Sequence, residues 1–292
     1  MGDGSNRWHW ADPRHLNDDP IAAESRRAFA VACASRRPDV VRSAFEVVWY
    51  QLERAAVWIS SRADSTEFAA FSERTAQILM RPIAAHVRGV AVLGAAGFDH
   101  LTPAMSSARA AFEAGLRVAW MLNTDGDAEK DHRAARVHSQ LAEARGRIAD
   151  RMEKTGIDAA RWREAQQRQQ LLVDKLVGEL ELEMPLKRVP GVADQLKELG
   201  VGRLYQGFRI ASEYAHGSLG AGAEVIPSHA GPTDFGVYWP SEWYLAVNMS
   251  TWGCVLAADA IGAGAGDFGP IRGAVWAVQL MDDAPGPRTP QG

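Results

Sequence analysis

The sequence predicts an all-α protein, a helical bundle of eight to ten helices. Three observations predict it. Apolar residues recur at intervals of three and four along most of the chain, and prolines and glycines stand where helices would start and stop. No run of useful length alternates apolar and polar residues as a half-buried strand does. With 47% hydrophobic and 23% charged residues the chain can bury a core, which excludes wholesale disorder. Its 292 residues fit one large domain or two modest ones.

The elements follow in order. Residues 1–19 are polar and lack the apolar stretch of a secretory signal, so they read as a flexible leader. Pro20 suits the first position of a helix whose alanine-rich body must stop before Pro38. From Pro38, the residues Val41, Phe45, Val48, Leu52, Ala55 and Ile59 mark one face of a long amphipathic helix. Asp64 or Ser65 offers a cap for a helix through Phe71 and Ile78, which Pro82 would kink or restart toward Phe98. Thr102-Pro103 opens a helix through Phe112, Leu116 and Trp120 to Asn123. After a polar turn, two charge-rich helices over 128–184, divided at Gly156, predict a long antiparallel hairpin with solvated faces.

Of the 27 glycines, 16 lie at or beyond position 200, so the last third must be built differently. It reads as short helices over 192–199 and 202–216, closed by Gly200 and Gly217, then an irregular loop over 218–240 with a short extended piece at 235–239. Helices near 241–261 and 270–281 complete a single domain over 20–283, and 284–292 reads as a flexible tail. The most apolar long stretch, 243–263, carries Asn248 and Asp259 and lacks basic flanks. It is therefore expected to be a buried helix, and the protein soluble and cytoplasmic without a membrane partner. Cys33 and Cys254 are too few and too far apart for a disulfide framework and are expected as buried small hydrophobes.

Two helices carry the residues that point to chemistry. On the 202–216 helix, Tyr205, Arg209, Ser212, Glu213 and His216 share one face, and Leu204, Phe208, Ala211 and Ala215 share another. On the helix opened by Pro103, Arg109, Glu113 and Arg117 stand four apart, with Ser106 and Trp120 extending the row. Two arginines beside one carboxylate keep Glu113 ionised. If the helices pack together, the rows combine a cation, a carboxylate, a hydroxyl and a titratable imidazole. Trp239 and Trp243, either side of Pro240, are candidates for a pocket mouth or an interface. The plain alternative is structural: pairs four apart on an exposed helix contribute only about 0.2–0.5 kcal/mol, and His216 suits the negative end of a helix dipole.

Arg209 and His216, separated by six residues on one helix, resemble the signature of the HEPN superfamily of small helical domains. Arg81–His86 and Arg133–His138 share the permitted spacings, but only Arg209–His216 lies on a helix with an apolar back and a closing glycine. The segments ARAAFEAGLRVAWML and SEYAHGS also resemble a group of uncharacterised bacterial helical proteins. The first resemblance implies a metal-independent endoribonuclease of the toxin or defence type, acting as a homodimer without cofactor. In it His216 moves the proton, Arg209 holds the developing charge, and Glu213 belongs to the same set. A net charge of −4 supplies no global field for RNA, so such a protein must gather a local basic patch.

Two other readings stay open. The same polar cluster could serve a non-catalytic helical module that binds a protein partner or a small ligand. A di-metal carboxylate oxidase or oxygenase would use Glu129 with His132 and Glu213 with His216, plus Glu113 and Glu46 or Glu53. No phosphate-binding loop, nucleophile elbow or H-E-x-x-H motif occurs.

Overall fold

The computed structural model describes residues 20–35, 37–65, 70–182, 184–216, 240–262 and 268–282, with the backbone alone at 20–23, 216, 240 and 241. The expected leader, the loop over 218–239 with its extended piece, Trp239 and the tail lie outside the described residues. Ten α-helices occur among those described, and no strand. They are α1 (Pro20–Ala34), α2 (Pro38–Ala63), α3 (Phe71–Ala96), α4 (Leu101–Leu122), α5 (Asp127–Lys154), α6 (Ala160–Glu179), α7 (Val192–Glu198), α8 (Tyr205–His216), α9 (Tyr244–Ala260) and α10 (Gly269–Asp282). The protein is an all-α bundle, as its periodicity predicts.

The predicted ends hold where local chemistry sets them. Pro38 is the first residue of α2, and Pro103 falls in the first turn of α4. Gly156 (φ 73°) closes α5 with bonds from Gly156 N to Glu153 O (3.1 Å) and Ile157 N to Met152 O (2.9 Å), the paired pattern of a left-handed helix end. Gly200 closes α7 in the same way. Two expectations change. α3 starts at Phe71, because Glu73 accepts from the N–H of Ala70 (3.1 Å) and Asp131 of α5 accepts from that of Ser72 (2.8 Å). Of the kink or restart expected at Pro82, the restart is absent: one helix runs through it, and the carbonyl that loses its donor belongs to Ile78, an exposed residue that water can reach.

α4 is the central helix, packed against α3, α8 and α9, with α2 bracing α3 and α10. α4 and α9 cross closely because glycines meet. A Cβ on Gly115 would lie 2.1 Å from the carbonyl oxygen of Gly253, and one on Gly253 would lie 2.7 Å from that of Ala111. α9 buries most of its circumference, which explains why 243–263 is so apolar. Among the described residues α3 is the one helix long and apolar enough to cross a membrane, and it buries one face against α2 and α4. One continuous apolar core runs from Phe29 to Met281. The interior of the α5–α6 hairpin (Ala142, Ala149, Val173, Leu176) stands apart from it.

Candidate functional site

The predicted packing of the two polar helices is present: α8 lies against α4. What joins them is aromatic. Phe208 of α8 meets Phe112 of α4 with ring centroids 6.2 Å apart, and the Arg109 guanidinium lies over the Phe208 ring at 5.4 Å. Tyr205 stacks on Phe208 from the outer side (6.3 Å). α8 thus turns its apolar face inward, with Ala211 fully buried, and leaves Tyr205 and Arg209 exposed. The polar rows border this contact from the two helices.

On α4, the Arg109 Nε and a Glu113 carboxylate oxygen form an ion pair at 2.9 Å, with both side chains less than a third exposed. Arg117, one turn on, is half-buried. Desolvation lowers its guanidinium pKa, and the charge of Glu113 opposes that. Its Nε is buried with no hydrogen-bond partner among the described residues. Such a group costs about 1–3 kcal/mol if nothing binds it.

On α8, Ser212 and Glu213 are half-buried, and the Ser212 hydroxyl donates to the carbonyl of Phe208 (2.9 Å). Arg209 and Glu213, four apart on α8, form no ion pair among the described residues. Arg209 is exposed and has neither ion pair nor hydrogen bond there. His216 is the last residue of α8, and its side chain lies outside the described residues.

Trp243 is placed differently from a pocket-mouth residue. It is fully buried, its Nε1–H donates to the carbonyl of Phe98 (3.0 Å), and its ring packs edge-on against Trp49 (5.2 Å). It is a core residue whose indole N–H is satisfied by backbone.

A second polar cluster, which the chain order hides, lies at the end of α4. Trp120 is flanked by two guanidinium groups, Arg133 at 4.9 Å and Arg136 at 5.0 Å from its ring. Its Nε1–H donates to Glu198 of α7 (2.9 Å). Arg133 donates to Glu198 (2.5 Å), to the carbonyl of Trp120 (2.6 Å) and to Glu129 (3.1 Å). Beside it opens a polar cleft of about 420 Å³ lined by Asn123, Asp125, Lys130, Arg133 and Glu198. The row that Trp120 extends was legible on α4. Its partners, 13 and 78 residues away, left no local signal.

The candidate di-metal ligands do not assemble among the described residues, where no three His, Cys, Asp or Glu side chains converge. Glu129 is engaged by Arg133 and by His132 (3.4 Å), on the first turn of α5. Both cysteine thiols are pushed up to about 12 by desolvation, so neither is a ready nucleophile at neutral pH. No family model matches the chain, and neither a curated protein nor a solved structure is similar to it.

Proposed function

We propose that the protein is a HEPN-like, metal-independent endoribonuclease of the toxin or defence type, acting in the cytoplasm as a homodimer. The observation that carries this reading is Arg209. It stands exposed and unpaired among the described residues, on the outer face of the helix that ends in His216. A guanidinium that a fold leaves unneutralised is suited to bind a phosphodiester through its planar donor fork. In the reaction, the 2′-oxygen of RNA bonds to the adjacent phosphorus and the bond to the 5′-oxygen breaks. The imidazole of His216 passes the proton from one oxygen to the other, and Arg209 stabilises the charge on the phosphoryl oxygens. No metal takes part in this scheme.

The test is cleavage of single-stranded RNA in EDTA by wild type, Arg209→Ala and His216→Ala. Wild type is expected to cleave, and each variant to lose about a hundredfold or more. Equal background in all three overturns the nuclease.

Arg117 favours a second reading, a non-catalytic module that takes a small anionic ligand. Its buried, partnerless Nε beside the Arg109–Glu113 pair is a donor that a carboxylate or phosphate would satisfy. Calorimetric titration with inorganic phosphate separates the two. Binding lost in Arg117→Gln, with no RNA cleavage in wild type, favours the module.

A further inference from the structure

The outer face of the hairpin helix α5 carries a cationic row. Arg136, Gln140, Glu143, Arg147, Arg151 and Lys154 follow at spacings of four and three, and so lie along one face. From Arg136 to Lys154 the row extends about 27 Å. The chain that follows α6 returns alongside it, where Arg136 donates to the carbonyls of Lys187 (2.8 Å) and Arg188. That pinning places the exposed Lys187 and Arg188 beside the row, and a cleft of about 130 Å³ opens between the two segments, also lined by Ser139, Gln140 and Arg147.

The charges of this strip do not cancel. Its one acid, Glu143, pairs with Arg147 only at 3.5 Å, with both side chains about half exposed. The neighbouring acids Asp150 and Glu153 are both engaged by Arg163 of α6, each at 2.6 Å, which offsets one of their two charges from the other flank and leaves the strip cationic on balance. The helix dipole accounts for Arg151 and Lys154 in the last turn but not for Arg147, Lys187 and Arg188. The near end adjoins the candidate site: Arg136 lies on Trp120, one helical turn from Arg117 on α4.

We infer that this strip is a docking track for the sugar-phosphate backbone of single-stranded RNA, leading toward the α4–α8 site; the choice of RNA rests on the nuclease reading above. A straight, single-file row of arginines and lysines matches a linear polyanion with regularly repeated charge. An amphipathic helix held at an anionic membrane sets a broad exposed apolar face across from its cationic one; on α5 Leu141 and Ile148 are the exposed large apolar residues, and each is less than two fifths exposed.

The experiment measures binding of a 2′-O-methyl oligonucleotide, which cannot be cleaved through its 2′-oxygen, by fluorescence anisotropy at several salt concentrations. The proteins are wild type, the triple variant Arg147→Ala/Lys187→Ala/Arg188→Ala, and Glu143→Gln. The triple variant is expected to bind about tenfold or more weakly at low salt and to lose about two from the slope of log affinity against log salt. Glu143→Gln, which removes the one acid, is expected to tighten binding about two- to threefold. A wild type that binds no oligonucleotide overturns the track, as does a folded triple variant with unchanged affinity and slope. Binding to phosphatidylserine vesicles in place of the oligonucleotide overturns it too. The two proposals fail separately: binding that depends on the strip without cleavage removes the nuclease alone, and cleavage with binding indifferent to the triple variant removes the track alone.

Discussion

His138 shows how one buried side chain acquires a fixed protonation state. It is almost fully buried between α3, α5 and α6, and both ring nitrogens are engaged. The Thr75 hydroxyl donates to the carbonyl of Phe71 (3.0 Å), so toward His138 Nε2 (3.0 Å) it can only accept. Nε2 therefore carries the proton, and Nδ1 accepts from the Gln169 amide, whose oxygen accepts from Arg145 (2.9 Å). A protonated ring would turn a second donor, Nδ1–H, against the Gln169 N–H and would sit near the Arg145 charge. Desolvation first, and Arg145 second, push the His138 pKa down to about 4. The folded value lies below the unfolded value of about 6.5, so the unfolded chain binds the extra proton. The stability from the neutral ring is complete above about pH 6.5 and is lost as pH falls toward 4, amounting to about 3 kcal/mol. Urea unfolding from pH 7 to pH 4 is expected to show this loss in wild type and a shallower slope in His138→Gln, which keeps hydrogen-bonding atoms without the titration. Identical slopes would assign the acid sensitivity to other groups.

Helices meet through surfaces, and the space around a glycine makes opposite predictions for Gly115, at the α4–α9 crossing, and Gly178 of α6. Gly115→Ala places a methyl 2.1 Å from the Gly253 carbonyl oxygen, so the backbones must part. The expected loss is about 2 kcal/mol or more, although alanine itself favours a helix by about 1 kcal/mol over glycine. Gly178→Ala, near the end of α6 with open space around its new methyl, is expected to gain up to about 1 kcal/mol. Thermal melts of the two variants check the signs, and a neutral Gly115→Ala would mean that the crossing can relax. The same comparison explains what the sequence could disclose. Period and punctuation place α2, α4, α5 and α7 closely, because proline, glycine and apolar spacing act locally. The hairpin was expected to continue to 184, yet α6 stops at Glu179, where Glu181 takes the left-handed conformation (φ 51°) and the Leu182 N–H bonds to the Val177 carbonyl (3.0 Å). A glutamate in a glycine's position gives no signal. The start of α3 was missed for a kindred reason: Asp131, which caps Ser72, lies 59 residues away. For the site, helical spacing was enough to group Arg109 with Glu113 and to put Arg209 on an outer face. It could not separate Trp243, which the fold buries, from a residue at a pocket rim, because an indole at the edge of a loop looks the same in either role.

At the scale of the molecule, apolar and polar attachments divide the bundle unequally. α1–α4 and α7–α10 share the continuous core, to which α5 contributes Ala134 and Val137 near its beginning. Beyond that point the hairpin interior on α5 is made of small residues, Ala142, Gly146 and Ala149, with Gly146 set against Gln166 of α6, and α6 has α5 as its main partner. Alanines and glycine bury little area, so this arm draws little hydrophobic stabilisation at roughly 25 cal/mol per Å². Beside the apolar contact of Ala134, Val137 and the His138 ring on Phe71, its links to the bundle are polar: His138 to Thr75, Asp131 to the Ser72 N–H, and Arg133 to Glu198 and the Trp120 carbonyl. An arm joined mainly by hydrogen bonds, one of them set by a neutral imidazole, opens at lower free energy than the core and opens further in acid. Native-state hydrogen exchange, corrected for the intrinsic effect of pH, is expected to show amides of α6 and the far half of α5 exchanging through a smaller opening than those of α4 and α9. Lowering the pH from 7 to 5 is expected to widen that gap, because the opened hairpin, where His138 regains its ordinary pKa, takes up the proton that the closed anchor refuses, while local opening at the α4–α9 crossing involves no such group. If hairpin and core amides exchange through one common opening at both pH values, the bundle unfolds as a single cooperative unit, and the polar links couple the arm to the core as firmly as apolar packing does.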